Sequence, residues 1–367
     1  MTRTVGLEEY AKVRSKQKGT VKRYAVLALF LAPFLLAFII FFVFPLFYGV
    51  YISLTNYKFS EPGFGAVAND AKWFKYLFKI PLTPGGEISL PQKLVFQSFW
   101  TAFSHSFVFS VIMVPIAVLL PLTLAILVNT KPPAYKMFRS MIYLPSIVPL
   151  TAAGTIFTLI FMDPDKFGLM KIFFNSDIRW LSETWFKVNI FGTEQIITYA
   201  WIPIFFMCLW GGWGSNFLIL SAGLQNIPNN LYEAASIDGC SGFRKILKIT
   251  IPGIKPQLVL CLFTTIIGYL GLYGQNFVLT SGGPAIPLLS AVPAGGQTST
   301  VIYFIQDIVA NNANFKEKMY GLAAASSLVY ALIVGLISGI QMYATSDKKT
   351  GFKKSEAFSK WQRAKSQ

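Results

Sequence analysis

The residues able to do chemistry in this chain are few, and their spacing suits binding and motion better than bond-making. There is a single histidine, His105, and only three cysteines, Cys208, Cys240 and Cys261, with no Cys/His cluster at metal-ligand spacing. No metal centre and no disulfide are expected, and His105 reads as a helix-packing or interfacial residue. No Gly-x-x-x-x-Gly-Lys-Ser/Thr phosphate loop occurs, so catalysis by this chain alone is not expected, no cofactor of its own is expected, and any energy it uses comes from elsewhere. Two aromatic–amide patterns remain. Trp210, Trp213 and Asn216 follow one another at i, i+3 and i+6, and Tyr269, Tyr273 and Asn276 fall at similar helical spacing, so each set is expected on one broad helix face. Aromatic rings cover the apolar faces of a sugar and amides bond its hydroxyls, which suits a neutral carbohydrate better than an ion. Helix packing and interfacial anchoring are the plain alternative for each of these residues. Gly335 and Gly339 form a Gly-x-x-x-Gly face read as close helix packing.

A second pattern lies in Leu224 to Pro252. Asn229 or Asn230 can cap a short helix, Glu233 is expected in its first turn where an acid suits the dipole, and Gly239 can end it in a left-handed conformation. Ala234 and Ala235 leave its surface slim. A second helical stretch, Phe243 to Ile249, carries Arg244, Lys245 and Lys248, and Ile251-Pro252 is expected to stop it.

The elements that position these residues are membrane helices. The chain of 367 residues is 54% hydrophobic and only 13% charged, against about a quarter charged in a soluble domain. Long intervals carry no charge: Tyr24–Tyr57, Leu94–Thr130, Ser140–Met162, Gln195–Tyr232, Pro256–Gln306 and Met319–Ser346. Each holds a span of about 20 apolar residues. Trimmed at Gly and Pro clusters, they predict helices at Val26–Leu54, Trp100–Val128, Met137–Phe161, Ile196–Leu220, Gln257–Leu279 and Tyr320–Tyr343. Thr280–Gln297, with Ser281-Gly282-Gly283-Pro284, Pro287, Pro293 and Gly295-Gly296, reads as a loop.

An even number of spans puts both termini on one side. That side, comprising residues 1–24, the second and fourth connections and residues 347–367, holds 21 Lys and Arg against 6 acids, whereas the other side holds 11 against 10. The positive-inside rule assigns the basic side to the cytoplasm, which accounts for the net charge of +16 without a nucleic-acid partner. The first apolar run is too long for a signal peptide and is expected to stay in the cell membrane. The expected organisation is a basic cytoplasmic tail at 1–24, a transmembrane domain at 25–346 and a second basic cytoplasmic tail at 347–367.

Glu233-Ala234-Ala235, three residues, Gly239, nine residues, Ile249, one residue and Ile251-Pro252 resemble the "EAA" loop of ABC importer permeases, with Ile251 where that family usually has Leu. Leu31-Ala32-Pro33, Phe44-Pro45, Ser53-Leu54-Thr55, Tyr143-Leu144-Pro145, Gly223 to Pro228 and Leu279 to Pro284 extend the likeness toward the maltose-type and oligosaccharide permeases. The segment Lys58–Lys93 is longer than in commoner members. The resemblance implies an all-α membrane protein of about six spans in the type I importer permease arrangement, with the loop at about 224–252 forming coupling helices on the cytoplasmic side. Glu233, Ala234, Ala235, Asp238 and Gly239 are then the residues that engage an ATPase. It also implies alternating access and a set of partners: two cytoplasmic ATPase subunits, a second homologous permease chain forming a heterodimer, an extracellular solute-binding protein and a carbohydrate substrate. A polyol or glycerol phosphate is the alternative solute. An ion-coupled secondary transporter is the rival from another class, but neither ionisable residues within the spans nor inverted repeats are seen.

Overall fold

In lipid every buried peptide group must find a partner within the protein, so an apolar chain crosses as helix and departs from helix only where protein shields it. The computed structural model describes residues 26, 28–57, 64, 66–81, 86–166, 168–190, 193–284, 296–310 and 319–345. Both basic tails, and Pro287 and Pro293 of the expected loop, lie outside the described residues. Helix α1, Ala28–Ser53, crosses first, with a π-helical turn at Ile39–Val43. A short helix α2, Lys72–Leu77, leads to α3, Leu90–Asn129. Next come α4, Tyr135–Tyr143, α5, Leu150–Phe161, and α6, Leu169–Phe174. An antiparallel hairpin of β1, Thr184–Ile190, and β2, Thr193–Thr198, precedes α7, Trp201–Gln225. The second half holds α8, Asn229–Ile237, α9, Gly242–Gly253, and α10, Lys255–Leu270. It closes with α11, Gly274–Thr280, α12, Val301–Ala310, and α13, Tyr320–Thr345.

Among the described residues four helices, α1, α3, α7 and α13, are each long and apolar enough to cross alone, and counting each of two bent pairs as one span brings the number to six. The third expected span breaks by 93° between α4, with its 3-10 extension to Ile147, and α5. Pro149 lacks an N–H and restricts the residue before it, and Val148 is accordingly extended at ψ 127°. The fifth expected span is shorter at its far end: α10 stops at Leu270, Tyr273 turns to φ −145°, and α11 starts at Gly274. Ahead of it, Ile251-Pro252 does not stop the preceding helix, because a π-turn at Ile246–Thr250 lets α9 absorb the proline. That helix runs to Gly253 before a bend of 73°.

Two other boundaries move. The second span begins at Leu90, ten residues earlier than expected, with Ser89 at its N-cap. At 40 residues this helix is about 60 Å long, twice a bilayer's apolar thickness. The fourth span begins at Trp201, because the β-branched run Ile196-Ile197-Thr198 pairs with β1. Helix α12 was not anticipated, since ten residues containing Asp307 are too short to read as a span.

The long α3 is the mast of the bundle, and three buried clusters follow one another down it. Val95, Phe99 and Ala102 meet Phe304, Leu322 and Val329. Phe109 and Met113 meet Phe157, Ile204 and Cys208. Val118, Leu122 and Ala125 meet Phe217, Leu220 and Ile254. Near the start of α3 the buried Gln92 donates from Nε2 to the carbonyls of Lys75, at 3.1 Å, and Ile80, at 2.6 Å, while Trp100 Nε1 donates to Leu77 O at 2.9 Å. These bonds hold α2 against α3.

Gln92→Leu keeps the volume but leaves Ile80 O without its side-chain donor and Lys75 O with the Ile80 N–H alone, and is expected to cost about 2 kcal/mol. The unfolding midpoint of the purified protein in detergent should fall accordingly. An unchanged midpoint would mean that the α2 segment contributes nothing to stability.

Candidate functional site: a central cavity and an exposed helical loop

The 93° bend of the third span and the unwound turn after Leu270 open onto the same space. The bend at Pro145, Ser146 and Val148, the middle of α7 and the far end of α10 enclose a cavity of about 470 Å³. Helix α7 contributes Trp210, Gly211, Gly212, Ser215 and Asn216, and α10 contributes Thr264, Thr265, Gly268 and Tyr269. The unwound turn and the start of α11 add Gly271, Leu272, Tyr273, Gly274 and Gln275. Its lining contains no Asp, Glu, Lys or Arg. Glycine makes the room: a Cβ on Gly211 or Gly268 would meet nothing within 4 Å, and one on Gly212 would come within 3.3 Å of the Tyr269 hydroxyl.

The lining side chains are set by their neighbours. Trp210 packs on Phe157, and Tyr269 meets Phe109 edge to face with centroids 5.8 Å apart. Asn216 is buried and donates from Nδ2 both to Ala117 O, at 2.8 Å, and to Thr265 Oγ1, at 3.0 Å. One amide therefore bolts α3, α7 and α10 together at the cavity wall.

Four of the six residues singled out by spacing, Trp210, Asn216, Tyr269 and Tyr273, line this space. Trp213 lies off the lining, half-buried, and its Nε1 has no partner among the described residues. Asn276 lies on α11, fully buried, and donates to Thr298 O at 2.5 Å. The expectation that Tyr269, Tyr273 and Asn276 share one helix face fails because the helix ends between the first two. Spacing passed over Thr264, Thr265, Gln275, Ser146 and Ser215. The signal for them was hydroxyl and amide groups inside otherwise apolar runs, not a periodicity.

The loop after α7 forms two helices joined by a tight turn. Helix α8 is preceded by Pro228 at its N-cap position, with no side-chain cap, so neither Asn229 nor Asn230 plays that role. Glu233 falls just past the first turn. At the far end Cys240 N bonds Ala235 O at 2.9 Å and Gly239 N bonds Ser236 O at 3.1 Å, with Gly239 at φ +69°. These are the two hydrogen bonds of a Schellman ending, for which the left-handed residue is normally glycine. Tyr232 Oη meets Thr250 Oγ1 at 2.9 Å and Lys245 Nζ donates to Ser236 Oγ at 2.6 Å, which fixes α8 on α9. Glu233, Ala234, Asp238 and Gly239 are exposed and Ala235 is half-buried. Beside them the apolar side chains of Leu231, Ile237, Phe243 and Leu247 are also exposed, Ile237 to 87%.

Comparison with known proteins agrees with this geometry. The family described as "Binding-protein-dependent transport system inner membrane component" matches residues 94–350. The arabinooligosaccharides transport system permease protein AraP of Bacillus subtilis is 28% identical over 316 residues, 84% of this chain and 86% of that protein. The lactose transport system permease protein LacF of Rhizobium radiobacter is 32% identical over 259 residues, 68% of this chain and 77% of that protein. Among solved structures, a bacterial ABC transporter involved in import of the acidic polysaccharide alginate superposes with a TM-score of 0.63 at 17% identity, covering 90% of this chain and 98% of that one. The fold is thus the type I importer permease fold, and the protein is multi-pass in the membrane. On the extent of the match along residues 94–350, this chain belongs to the binding-protein-dependent transport system inner membrane component family, the permeases of ABC importers.

Proposed function

We propose that this permease carries a neutral carbohydrate, an oligosaccharide by the pattern of its relatives, through the cavity between α5, α7 and α10. The observation that carries the reading is the lining itself. Trp210, Tyr269 and Tyr273 offer ring faces, and Asn216, Gln275, Thr264, Thr265 and Ser215 offer hydroxyl and amide partners, with no charge among them. About 470 Å³ lies within the usual range for small-molecule sites, about 300–1,000 Å³. An anionic solute such as glycerol phosphate would enter this low-dielectric space without a cation to meet it, a heavy desolvation cost. A polyol would meet no such barrier and is the second reading. That arabinooligosaccharide and lactose permeases stand among the relatives supports the sugar.

Energy comes from outside the chain. The α8–α9 pair is the coupling element in this reading: a rigid, slim helix with Glu233, Ala234, Ala235, Asp238 and Gly239 near its tip, flanked by exposed apolar side chains that a cleft in an ATPase subunit would cover. ATP and Mg bind there and not here. One chain carries one such element, so the working assembly takes a second homologous permease, two ATPase subunits and an extracellular solute-binding protein. The excess of 21 basic over 6 acidic residues on the coupling side supports a cytoplasmic position for that side and for both tails. Alternating access then consists of rocking about the bends of 93° and 73°, which border the cavity and the coupling element respectively.

Two measurements test this. Gly211→Phe projects a ring into open space in the cavity and is expected to cut uptake by about tenfold or more, equivalent to at least about 1.4 kcal/mol, while the subunits still co-purify. Uptake is followed with isotope-labelled short oligosaccharides, a polyol and glycerol phosphate in parallel. Normal oligosaccharide uptake by this variant would remove the cavity from the path, and selective uptake of the polyol would favour the second reading. Separately, Glu233→Lys combined with Gly239→Asp should release the ATPase during purification in mild detergent. If the intact chain brings no ATPase with it and uptake follows an ion gradient, the importer reading is wrong.

A further inference from the structure

Against the cavity wall at Leu272, and beside Trp201 at the end of α7 opposite the α8–α9 loop, a short stretch of backbone that is neither helix nor strand is buried inside the bundle. Gln297, Thr298, Ser299 and Thr300 are each no more than 3% exposed. Irregular backbone at this depth persists only where protein or a water-filled space satisfies it, and here side chains do much of that. His105 Nδ1 bonds Ser299 O at 2.9 Å, Trp201 Nε1 donates to Gln297 O at 3.2 Å and Asn276 Nδ2 donates to Thr298 O. Thr300 Oγ1 donates in turn to Leu272 O at 2.6 Å, on the cavity lining. Gly296 presses so closely on the turn that a Cβ there would sit 1.8 Å from Gly282 O.

The same place concentrates polar atoms without partners among the described residues: His105 Nε2, Asn276 Oδ1, Gln297 Oε1 and Ser299 Oγ. A carbonyl only accepts, so in the neutral imidazole Nδ1 donates to Ser299 and Nε2 is left with its lone pair. A permanent core would fill such positions with apolar side chains, because a buried group without a partner loses its hydration for nothing. These groups are suited to a segment that spends part of its time displaced, when water or the hydroxyls of a passing solute would meet them.

We propose that residues 296–300 are a removable plug between the cavity and the membrane face opposite the coupling loop, held shut by His105, Trp201 and Asn276. The proposal rests on the transport reading above and adds the element that must move for solute to enter. The clamps come from three helices, α3, α7 and α11, so a relative displacement of these helices releases the plug without unfolding any of them. The four unpartnered groups then border the entrance as a hydroxyl-tolerant, uncharged rim.

The test uses the assembled importer in nanodiscs carrying Ser299→Cys, with a membrane-impermeant maleimide and peptide mass spectrometry to locate the label, so the native thiols can stay. Labelling should be slow at rest and rise by an order of magnitude or more with the solute-binding protein, Mg-ATP and vanadate. The native Cys261, fully buried in the cluster at the coupling-loop end of α3 and α7, should stay protected in both conditions and reports loss of fold if it does not. Adding His105→Phe to Ser299→Cys should speed resting labelling several-fold, whereas His105→Gln, which restores a donor, should not. Protection of Ser299→Cys in every state, in a preparation that shows binding-protein-dependent uptake of labelled oligosaccharides in liposomes, overturns the plug alone. So does resting labelling as fast as that of an exposed thiol while Cys261 stays protected. Absence of any binding-protein-dependent uptake by the unmodified importer sinks the transport reading and the plug with it.

Discussion

Everything distinctive in this fold follows from one constraint: within the bilayer a peptide group released from a helix must be recaptured by protein. The chain breaks helix at Val148–Pro149 and at Gly271–Tyr273, and it runs irregularly through Gln297–Thr300. The carbonyls freed at the end of α10 are met by side chains from elsewhere: Tyr330 Oη donates to Leu270 O and Thr300 Oγ1 to Leu272 O. On the far side of the turn Tyr303 Oη donates to Ser281 O, and Thr298 Oγ1 to Gly283 O. Tyrosine, threonine and asparagine inside apolar surroundings are therefore the counterparts of the breaks, and the breaks are what create a cavity where six straight helices would close on one another.

This economy explains how much of the molecule the sequence discloses. Absence of charge over some 20 residues is a strong signal because a charge in lipid is costly, and each uncharged interval does contain a span or the core of one. Hydropathy is blind to direction, however. Leu150–Phe161 and Tyr135–Tyr143 are apolar enough to merge into one predicted helix, and only the pair Pro145 and Pro149, with the restriction it puts on Val148, tells of the right-angle turn. The hairpin at Thr184–Thr198 and the short α12 escape for the opposite reason. They lack the length on which a span signal depends.

The cavity was half legible. Trp210 and Asn216 sit on an unbroken stretch of α7, where helical spacing carries over into space, and both line the cavity. Tyr269 and Asn276 were grouped by a periodicity that the structure interrupts, so one lines the cavity and the other anchors the segment at Thr298. Glycines carry the shape. Gly211 and Gly268 contribute nothing to a pattern of chemical groups, yet the space beside them exists because they have no side chain. The loop at Asn229–Pro252 was legible in its residue types and its glycine terminator, since Gly239 at φ +69° is a local backbone requirement. Its N-terminal cap was not, because Pro228 takes that position and its side chain has no oxygen to accept from the N–H groups of the first turn.

The same constraint gives the protein a lever. Helix α7 runs unbroken for 25 residues from Trp201 to Gln225, about 37 Å at 1.5 Å per residue. At its first residue it holds Gln297, at its middle it lines the cavity and is bolted to α3 and α10 through Asn216, and at its end it leads through Ile227-Pro228 into α8. A continuous helix with its hydrogen bonds closed internally transmits a displacement of one end to the other with little loss. The neighbouring elements, broken at 93° and 73°, are the ones able to flex. In the proposed coupling a push on α8 is communicated past the cavity to the Trp201 contact by α7, which borders all three, while the bent pairs absorb the difference in position. The sequence accordingly keeps proline out of α7 beyond its first turn, where Pro203 has no helical hydrogen bond to lose, and places Pro145, Pro149 and Pro252 in the spans that bend.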